Sequence, residues 1–192
     1  MKWSVLDQSP ASAGCLEEAA IRDSLVLARD CDALGYERFW VSEHHNAASI
    51  VGTAPEVLAA AIAATTRRIR VGSAGVMLPQ FPEGYPYRHI VAHPTGPTSP
   101  QLWILGSSGY GAQLAAHFGL PYAFAYFFSD GAGVDEALGL YRRYYRPSER
   151  YPKPCATICV WALAAETARE ARRHSYALLA RAFGLHGAAP AP

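Results

Sequence analysis

The densest cluster of side chains able to do acid–base chemistry is Glu43-His44-His45-Asn46, which directly follows the apolar run Phe39-Trp40-Val41. Imidazole is the side chain best suited to proton transfer near neutral pH, so His44 is a candidate catalytic residue. A metal site would need ligands from elsewhere in the chain, because adjacent histidines at a strand end point apart. We therefore predict no metal site. The alternative, that these histidines only satisfy loop hydrogen bonds, stays open on this segment alone.

A second pattern, Gly106-Ser107-Ser108-Gly109-Tyr110-Gly111, lies between an apolar run and a helix-like run. Free backbone N–H groups at a helix N-terminus, with two hydroxyls beside them, form a site for an anion. The pattern is neither a Walker loop nor G-x-G-x-x-G, and a Gly/Ser turn with a helix cap explains it equally well. On the first interpretation, Gly106, Ser107, Ser108 and Gly109 bind an anionic part of a ligand.

A third pattern is the run of small residues in Val71-Gly72-Ser73-Ala74-Gly75-Val76. Small side chains near a strand end let a flat ligand approach the backbone, here at Ser73, Ala74 and Gly75. A close contact with a helix explains the same residues equally well.

The elements that would position these clusters alternate along the chain. Short apolar runs predict strands over residues 3–7, 38–42, 69–77, 102–105, 122–128 and 157–163. Longer runs predict helices over residues 16–34, 53–66, 110–118, 134–145 and 167–183, the second of them opened by a capping box at Thr53-Ala54-Pro55-Glu56. This alternation is typical of a parallel sheet covered by helices. In such folds ligands bind at the carboxyl ends of the strands, which is where all three clusters lie.

Composition limits the function classes. The chain has 192 residues, 51% hydrophobic and 17% charged, with a formal net charge of +1. Disorder is excluded because apolar residues are spread along the whole length, and the longest apolar run, residues 57–64, is too short to span a membrane. A near-neutral charge leaves no electrostatic footprint for nucleic acid. Four cysteines are too few for a disulfide scaffold, so we expect a reducing cytoplasm.

The length predicts one domain over residues 1–184. It would contain an irregular connector over residues 79–100, where prolines are frequent, and residues 185–192 would form a flexible tail.

Taken together, these segments resemble the bacterial luciferase-like flavin monooxygenases, most closely the FMN-dependent oxidoreductases of that family. The resemblance covers most of residues 2–175 in family order. The matching stretches are Ser4–Pro10, Leu34–Asn46, Ala54–Val57, Arg68–Pro79, Leu102–Ala116, Gly119–Ala125 and Tyr141–Ser148.

The resemblance implies an α/β fold of the TIM-type (β/α) barrel class that binds reduced FMN at the strand carboxyl ends. A deazaflavin is the less favoured alternative cofactor. Such enzymes use O2 to transfer one oxygen atom to a small organic substrate, and a separate flavin reductase can supply the electrons. His44 matches the family's histidine near the reactive flavin edge. The backbone of Ser73, Ala74 and Gly75 matches the bulge that supports the isoalloxazine, and Ser107, Ser108 and Gly109 match the segment that meets the phosphate.

The chain also departs from the family pattern. Pro79-Gln80 runs directly into Phe81-Pro82, a segment that resembles one found much later in relatives, so a helix–strand–helix region and its phosphate-contacting arginine are missing. Relatives also continue beyond the last predicted helix. In the Phe124–Phe128 stretch of the predicted fifth strand, Tyr126 and Phe127 stand where relatives tend to carry Ser-His.

These departures imply an incomplete barrel of about six strands, which we expect to associate as a homodimer. In place of the missing arginine, the phosphate would rely on helix N-terminal amides with Arg88 or His89. Two alternatives to an active monooxygenase remain. One is a catalytically inactive remnant that binds flavin or dimerises, and the other is an internally deleted product with no stable ligand site.

Overall fold

The computed structural model describes residues 2–11, 14, 16–45, 49–74, 84, 101–160 and 168–185. Within them lie six strands, β1 Ser4–Asp7, β2 Arg38–Val41, β3 Arg70–Ser73, β4 Ile104–Gly106, β5 Tyr122–Ala125 and β6 Ala156–Cys159. The helices are α1 Glu17–Leu34, α2 Pro55–Thr65, α3 Gly109–Phe118, α4 Val134–Tyr144 and α5 Ala168–Ala182. The predicted alternation of strands and helices is confirmed.

The chain divides into two compact units, residues 1–77 with 162–192, and residues 78–161. Each unit holds one three-stranded parallel sheet, in the orders β1-β2-β3 and β4-β5-β6. All six described strands therefore pair in parallel, as expected for strands linked by crossover helices. The parallel α/β fold predicted from the alternation is confirmed.

In the first unit, apolar side chains on one face of the sheet pack against the helices. Phe39 and Val41 of β2 are fully buried with Leu27 of α1 and Ile62 of α2. Helix α1 ends where the sequence predicts, because Gly35 adopts a left-handed conformation with φ of 87° and its N–H caps the helix.

Helix α5 completes the first unit by packing against α1. The guanidinium of Arg173 binds the carboxylate of Asp30 through two hydrogen bonds, and Tyr36 donates its hydroxyl to the carbonyl of Tyr176 at 2.9 Å. Helix α5 is therefore held beside α1.

In the second unit, α3 and α4 pack on each other and on β5. The core is formed by Tyr122, Phe124 and Tyr141 with the small residues of α3. The hydroxyl of Tyr141 is shared between the carbonyls of Leu120 and Cys155, at 2.9 and 3.1 Å. This buried tyrosine links α4 to the segments that lead into β5 and β6.

Several predicted boundaries are wrong. The predicted fifth strand over 122–128 ends at Ala125, and Tyr126–Phe128 form a 3-10 turn. Its neighbours end at the same level, since Phe124 is opposite Gly106 of β4 and Ala125 is opposite Cys159 of β6. The backbone beyond Ala125 has no strand partner there and leaves the sheet.

The predicted capping box is also wrong. Helix α2 begins at Pro55, so its N-cap is Ala54, which makes no side-chain capping bond. The box therefore lies one position too early for the Thr53 hydroxyl and the Glu56 carboxylate each to accept the backbone N–H of the other residue. Proline at the first helical position needs no partner, because it has no N–H.

Strand β4 begins at Ile104 instead of residue 102 and ends at Gly106, and β6 ends at Cys159 although Val160 is described. Other parts of the predicted elements lie outside the described residues. Strand β3 is described to Ser73, and residues 75–77 of the predicted strand lie outside the described residues. The same holds for residues 161–163, for most of the predicted connector over 79–100 and for residues 186–192 of the predicted tail.

Candidate functional site

The carboxyl ends of β2 and β3 bring three of the predicted site residues to one edge of the first sheet. Val41 is opposite Ser73 in the register, and the N–H of Ala74 donates to the carbonyl of Val41 at 2.6 Å. His44 follows β2 by three residues. Gly75, predicted with this group, lies outside the described residues.

His44 is held from both its backbone and its ring. Its N–H donates to the carbonyl of Gly52 at 3.0 Å, and its Nδ1 lies 3.1 Å from the hydroxyl oxygen of the buried Ser42. With Nδ1 paired in this way, Nε2 is the ring nitrogen available for proton exchange. His45 differs, since it is exposed and pairs with Glu43 at 2.8 Å.

A close backbone approach explains how Gly52 comes to face His44. A Cβ at Gly52 would lie 3.1 Å from the carbonyl oxygen of Ser42 and 3.4 Å from that of Gln8. Glycine therefore permits the loop after β2 to fold back onto the ends of β1 and β2.

A buried polar cluster supports the same edge at the end of β1. Ser9 has a φ of 50°, a left-handed conformation that costs a non-glycine residue of the order of 1 kcal/mol. The surrounding bonds enforce it, because its N–H donates to Asp7 at 3.3 Å and its hydroxyl lies 2.9 Å from that of Ser24. The carbonyl of Ser9 accepts the N–H of Val51 at 3.1 Å.

The second group of predicted site residues lies in the other unit, at the carboxyl end of β4. Gly106 ends the strand, Ser108 is the N-cap of α3, and Gly109 is its first residue. The side chain of Ser108 makes no capping bond. The first-turn amides of α3 thus have neither an intrahelical acceptor nor a side-chain cap from Ser108, which suits an anion.

Tyr122 of β5 holds this loop in place. Its hydroxyl lies 3.1 Å from the carbonyl oxygen of Gly106 and 3.2 Å from that of Ser108. A Cβ at Gly106 would meet the Cα of Gly111 at 3.3 Å, so both glycines are needed for α3 to approach the strand. Burial raises the pKa of the Tyr122 hydroxyl, which stays protonated at neutral pH.

Sequence reasoning missed Ser42, Gly52 and Tyr122 as supporting residues. Ser42 is adjacent to the predicted cluster and could have been found there. Tyr122 is separated from Ser108 by 14 positions, and only the register of β4 against β5 brings them together.

No group of three or more His, Cys, Asp or Glu side chains is arranged to hold a metal ion among the described residues. Across the same residues, no helix combines the length and apolar character needed to cross a membrane.

Known proteins resemble this chain in sequence. A family model described as luciferase-like monooxygenase matches residues 1–82. The Escherichia coli (strain K12) protein named luciferase-like monooxygenase is 31% identical, over 88% of this chain and 68% of its own length. The chain belongs to the luciferase-like monooxygenase family. YwcH of Bacillus subtilis (strain 168) is 34% identical, over 88% of this chain and 69% of that protein.

Solved structures also resemble this chain in fold. The crystal structure of apo-MsnO8 superposes with a TM-score of 0.72 at 31% identity, covering 82% of this chain and 64% of that one. The oxygenating constituent of 3,6-diketocamphane monooxygenase from Pseudomonas putida, in complex with FMN, gives a TM-score of 0.62 at 14% identity. It covers 96% of this chain and 77% of its own, and at that identity it shows the fold alone.

The expected internal shortening is confirmed. The alignment with YwcH spans 232 positions, more than the 192 residues of this chain, although it takes in only 88% of them. Relatives therefore carry an internal segment that this luciferase-like chain lacks. The family match ends at residue 82, next to the point where Pro79-Gln80 runs directly into Phe81-Pro82.

Proposed function

We propose that this luciferase-like chain is a flavin-dependent monooxygenase that uses reduced FMN and O2 to oxidise a small organic substrate. The observation that carries the proposal is the uncapped first turn of α3, which stands at a strand carboxyl end in a chain of this family. A separate flavin reductase would supply reduced FMN. We also propose that the chain forms a homodimer with a second copy of itself. The proposed location is the cytoplasm.

The first turn of α3 fits the phosphate of FMN. Backbone N–H groups at a helix N-terminus attract an anion, and the hydroxyls of Ser107 and Ser108 stand beside them. The hydroxyl of Tyr122 hydrogen-bonds to the carbonyl oxygens of Gly106 and Ser108. These two oxygens therefore already have a donor and do not compete with the proposed anion. In this role Gly106, Ser107, Ser108 and Gly109 bind and orient the cofactor.

The edge beyond β2 and β3 fits the chemistry at the flavin ring. The backbone of Ser73 and Ala74, fixed to Val41, would support the ring system, and His44 would hold or move a proton at Nε2. Reduced FMN supplies two electrons to O2, so that one oxygen atom enters the substrate and the other leaves as water.

Oxygen consumption by the purified chain with reduced FMN and a panel of small organic compounds tests this proposal. We expect at least one compound to increase oxygen uptake, with formation of its oxygenated product. His44→Ala should lower the rate of product formation by about 10²- to 10⁴-fold, the usual contribution of a positioned acid–base group.

His45→Ala is the matched control, because it removes the exposed neighbouring imidazole, and its rate should stay close to that of the wild type. Equal rates for wild type and His44→Ala, or oxygen uptake with no oxygenated product for any compound, would contradict the proposal.

A second candidate is a flavin-binding or dimerising protein of the same family without turnover. This candidate is favoured by the absence from this chain of an internal segment that relatives carry. The two candidates differ in one result, because the second binds FMN but yields no substrate-dependent oxygen consumption.

A further inference from the structure

The short turn that follows β5 exposes aromatic side chains at the carboxyl end of the second sheet. The side chain of Phe128 is 73% exposed and that of Tyr126 is 37% exposed, directly after a strand whose four residues are all buried. The ring centroids of Phe127 and Phe128 lie 4.5 Å apart, with 56° between the planes. Large apolar side chains that are exposed next to one another often mark a binding surface, whereas single exposed apolar side chains are common.

Backbone bonds fix the shape of this turn. The carbonyl of Tyr126 accepts the N–H groups of Ser129 and Gly131, at 3.2 and 3.3 Å. The carbonyl of Ser129 accepts the N–H of Ala132 at 2.9 Å, and that of Gly131 accepts the N–H of Val134 at 3.1 Å. The turn is thereby tied to the start of α4.

The ring of Tyr126 is fixed as well. Gly131 has a φ of 83°, and a Cβ there would lie 2.2 Å from Cε2 of Tyr126. The tyrosine ring therefore lies directly against the glycine backbone. The Tyr126 part of the aromatic surface is therefore pre-formed, and this side chain would lose little freedom when a ligand binds.

The edge of the second sheet is divided by polarity. At the end of β4 stand the hydroxyls of Ser107 and Ser108 and the first amides of α3. At the end of β5 stands the aromatic turn, and Val160, just beyond β6, is 52% exposed. Asp130 is the single charged residue between positions 122 and 134. One part of the edge thus suits an anion and the rest a neutral apolar group.

We propose that Tyr126 and Phe128 form the surface that binds the organic substrate, and that this substrate is a neutral apolar compound with a flat ring. The inference rests on the proposed flavin-dependent function, because it assigns the polar part of the edge to the FMN phosphate. Aromatic side chains bind flat rings by offset or edge-to-face contact. Phe128 is the main contact, since its ring is the more exposed.

The test uses 2-naphthol as the probe, with binding to the full chain followed by the change in its fluorescence, both with and without FMN. Phe128→Ala should weaken 2-naphthol binding roughly three- to tenfold, the loss expected for one aromatic contact. Gly131→Ala should also weaken it, because the added Cβ displaces the Tyr126 ring.

Phe118→Ala is the matched control. Phe118 is 58% exposed but ends α3, at the opposite end of the helix from the proposed phosphate site. Its substitution should change 2-naphthol binding less than twofold. Equal weakening by Phe118→Ala and Phe128→Ala, or no weakening by Phe128→Ala, would overturn the inference.

A parallel FMN titration of the same variants separates this inference from the proposed function. If FMN fails to bind while 2-naphthol still responds to Phe128→Ala, only the flavin proposal fails. If FMN binds normally and 2-naphthol ignores Phe128→Ala, only the substrate surface fails.

Discussion

At the scale of single residues, Gly72 is fixed by its neighbour on the next strand. Trp40 is opposite Gly72 in the register, and a Cβ at Gly72 would lie 2.6 Å from Cζ3 of the indole. The indole ring thus covers the backbone of β3 directly. Neither of the two explanations that the small-residue run suggests, a flat ligand or a close helix, applies at this position.

Gly72→Ala should lower the free energy of unfolding by about 1–3 kcal/mol, because the ring must move to admit the added methyl group. Urea unfolding measures the loss, and a changed tryptophan emission would report the displaced ring. Gly139→Ala on α4 is the control, since a Cβ there meets nothing within 4 Å. It should stabilise the chain by about 0.5–1 kcal/mol through its helix propensity, and equal losses for the two variants would refute the steric explanation.

At the scale of elements, one carboxylate links α1 to the segment between α2 and β3. Asp32 accepts the backbone N–H groups of Arg67, Arg68 and Ile69, at 3.0, 3.0 and 2.8 Å. Burial acts to raise the pKa of Asp32, but these bonds together outweigh it, so the pKa lies below its ordinary value of 3.8. The ionised carboxylate therefore stabilises the start of β3.

Asp32→Asn should lower the free energy of unfolding by about 1–3 kcal/mol at neutral pH, because the three donors lose a charged acceptor. Since the folded-state pKa is the lower one, this contribution is complete above the unfolded-state pKa and is lost as the pH falls through the folded-state pKa. Urea unfolding from pH 7 down to pH 3 should therefore show the gap between wild type and variant narrowing with acid. Asp30→Asn, which breaks an exposed pair with Arg173, should cost less than about 1 kcal/mol. A larger loss for Asp30→Asn would contradict the assignment.

The elements also show what sequence alone could predict. Helical periodicity and Gly35 located α1 closely, because both are local properties of the chain. The end of β5 could not be predicted, since Tyr126–Phe128 is as apolar as the strand and only the ends of β4 and β6 stop it. Within the candidate site, His44 and Ser108 follow from local motifs. Tyr122, which holds the Ser108 loop, depends on a strand pairing that no local pattern reveals.

At the scale of the whole molecule, the predicted site residues are distributed over both units. The first unit presents His44 and the backbone of Ser73 and Ala74, and the second presents the first turn of α3 and the aromatic turn. Relatives carry an additional internal segment. We propose that this shortened chain still binds FMN, with the phosphate at the N-terminus of α3.

The most direct test is a titration of the chain with oxidised and reduced FMN, following flavin fluorescence and the melting temperature. We expect saturable binding that raises the melting temperature with ligand concentration. Ser108→Asp should weaken it, because aspartate is itself a good N-cap and leaves the helix intact while repelling a phosphate. Gln113→Asp, which adds the same charge to an exposed position of α3 beyond its first turn, should have little effect. No binding at high micromolar FMN, or equal binding by wild type and Ser108→Asp, would contradict a phosphate site at the N-terminus of α3.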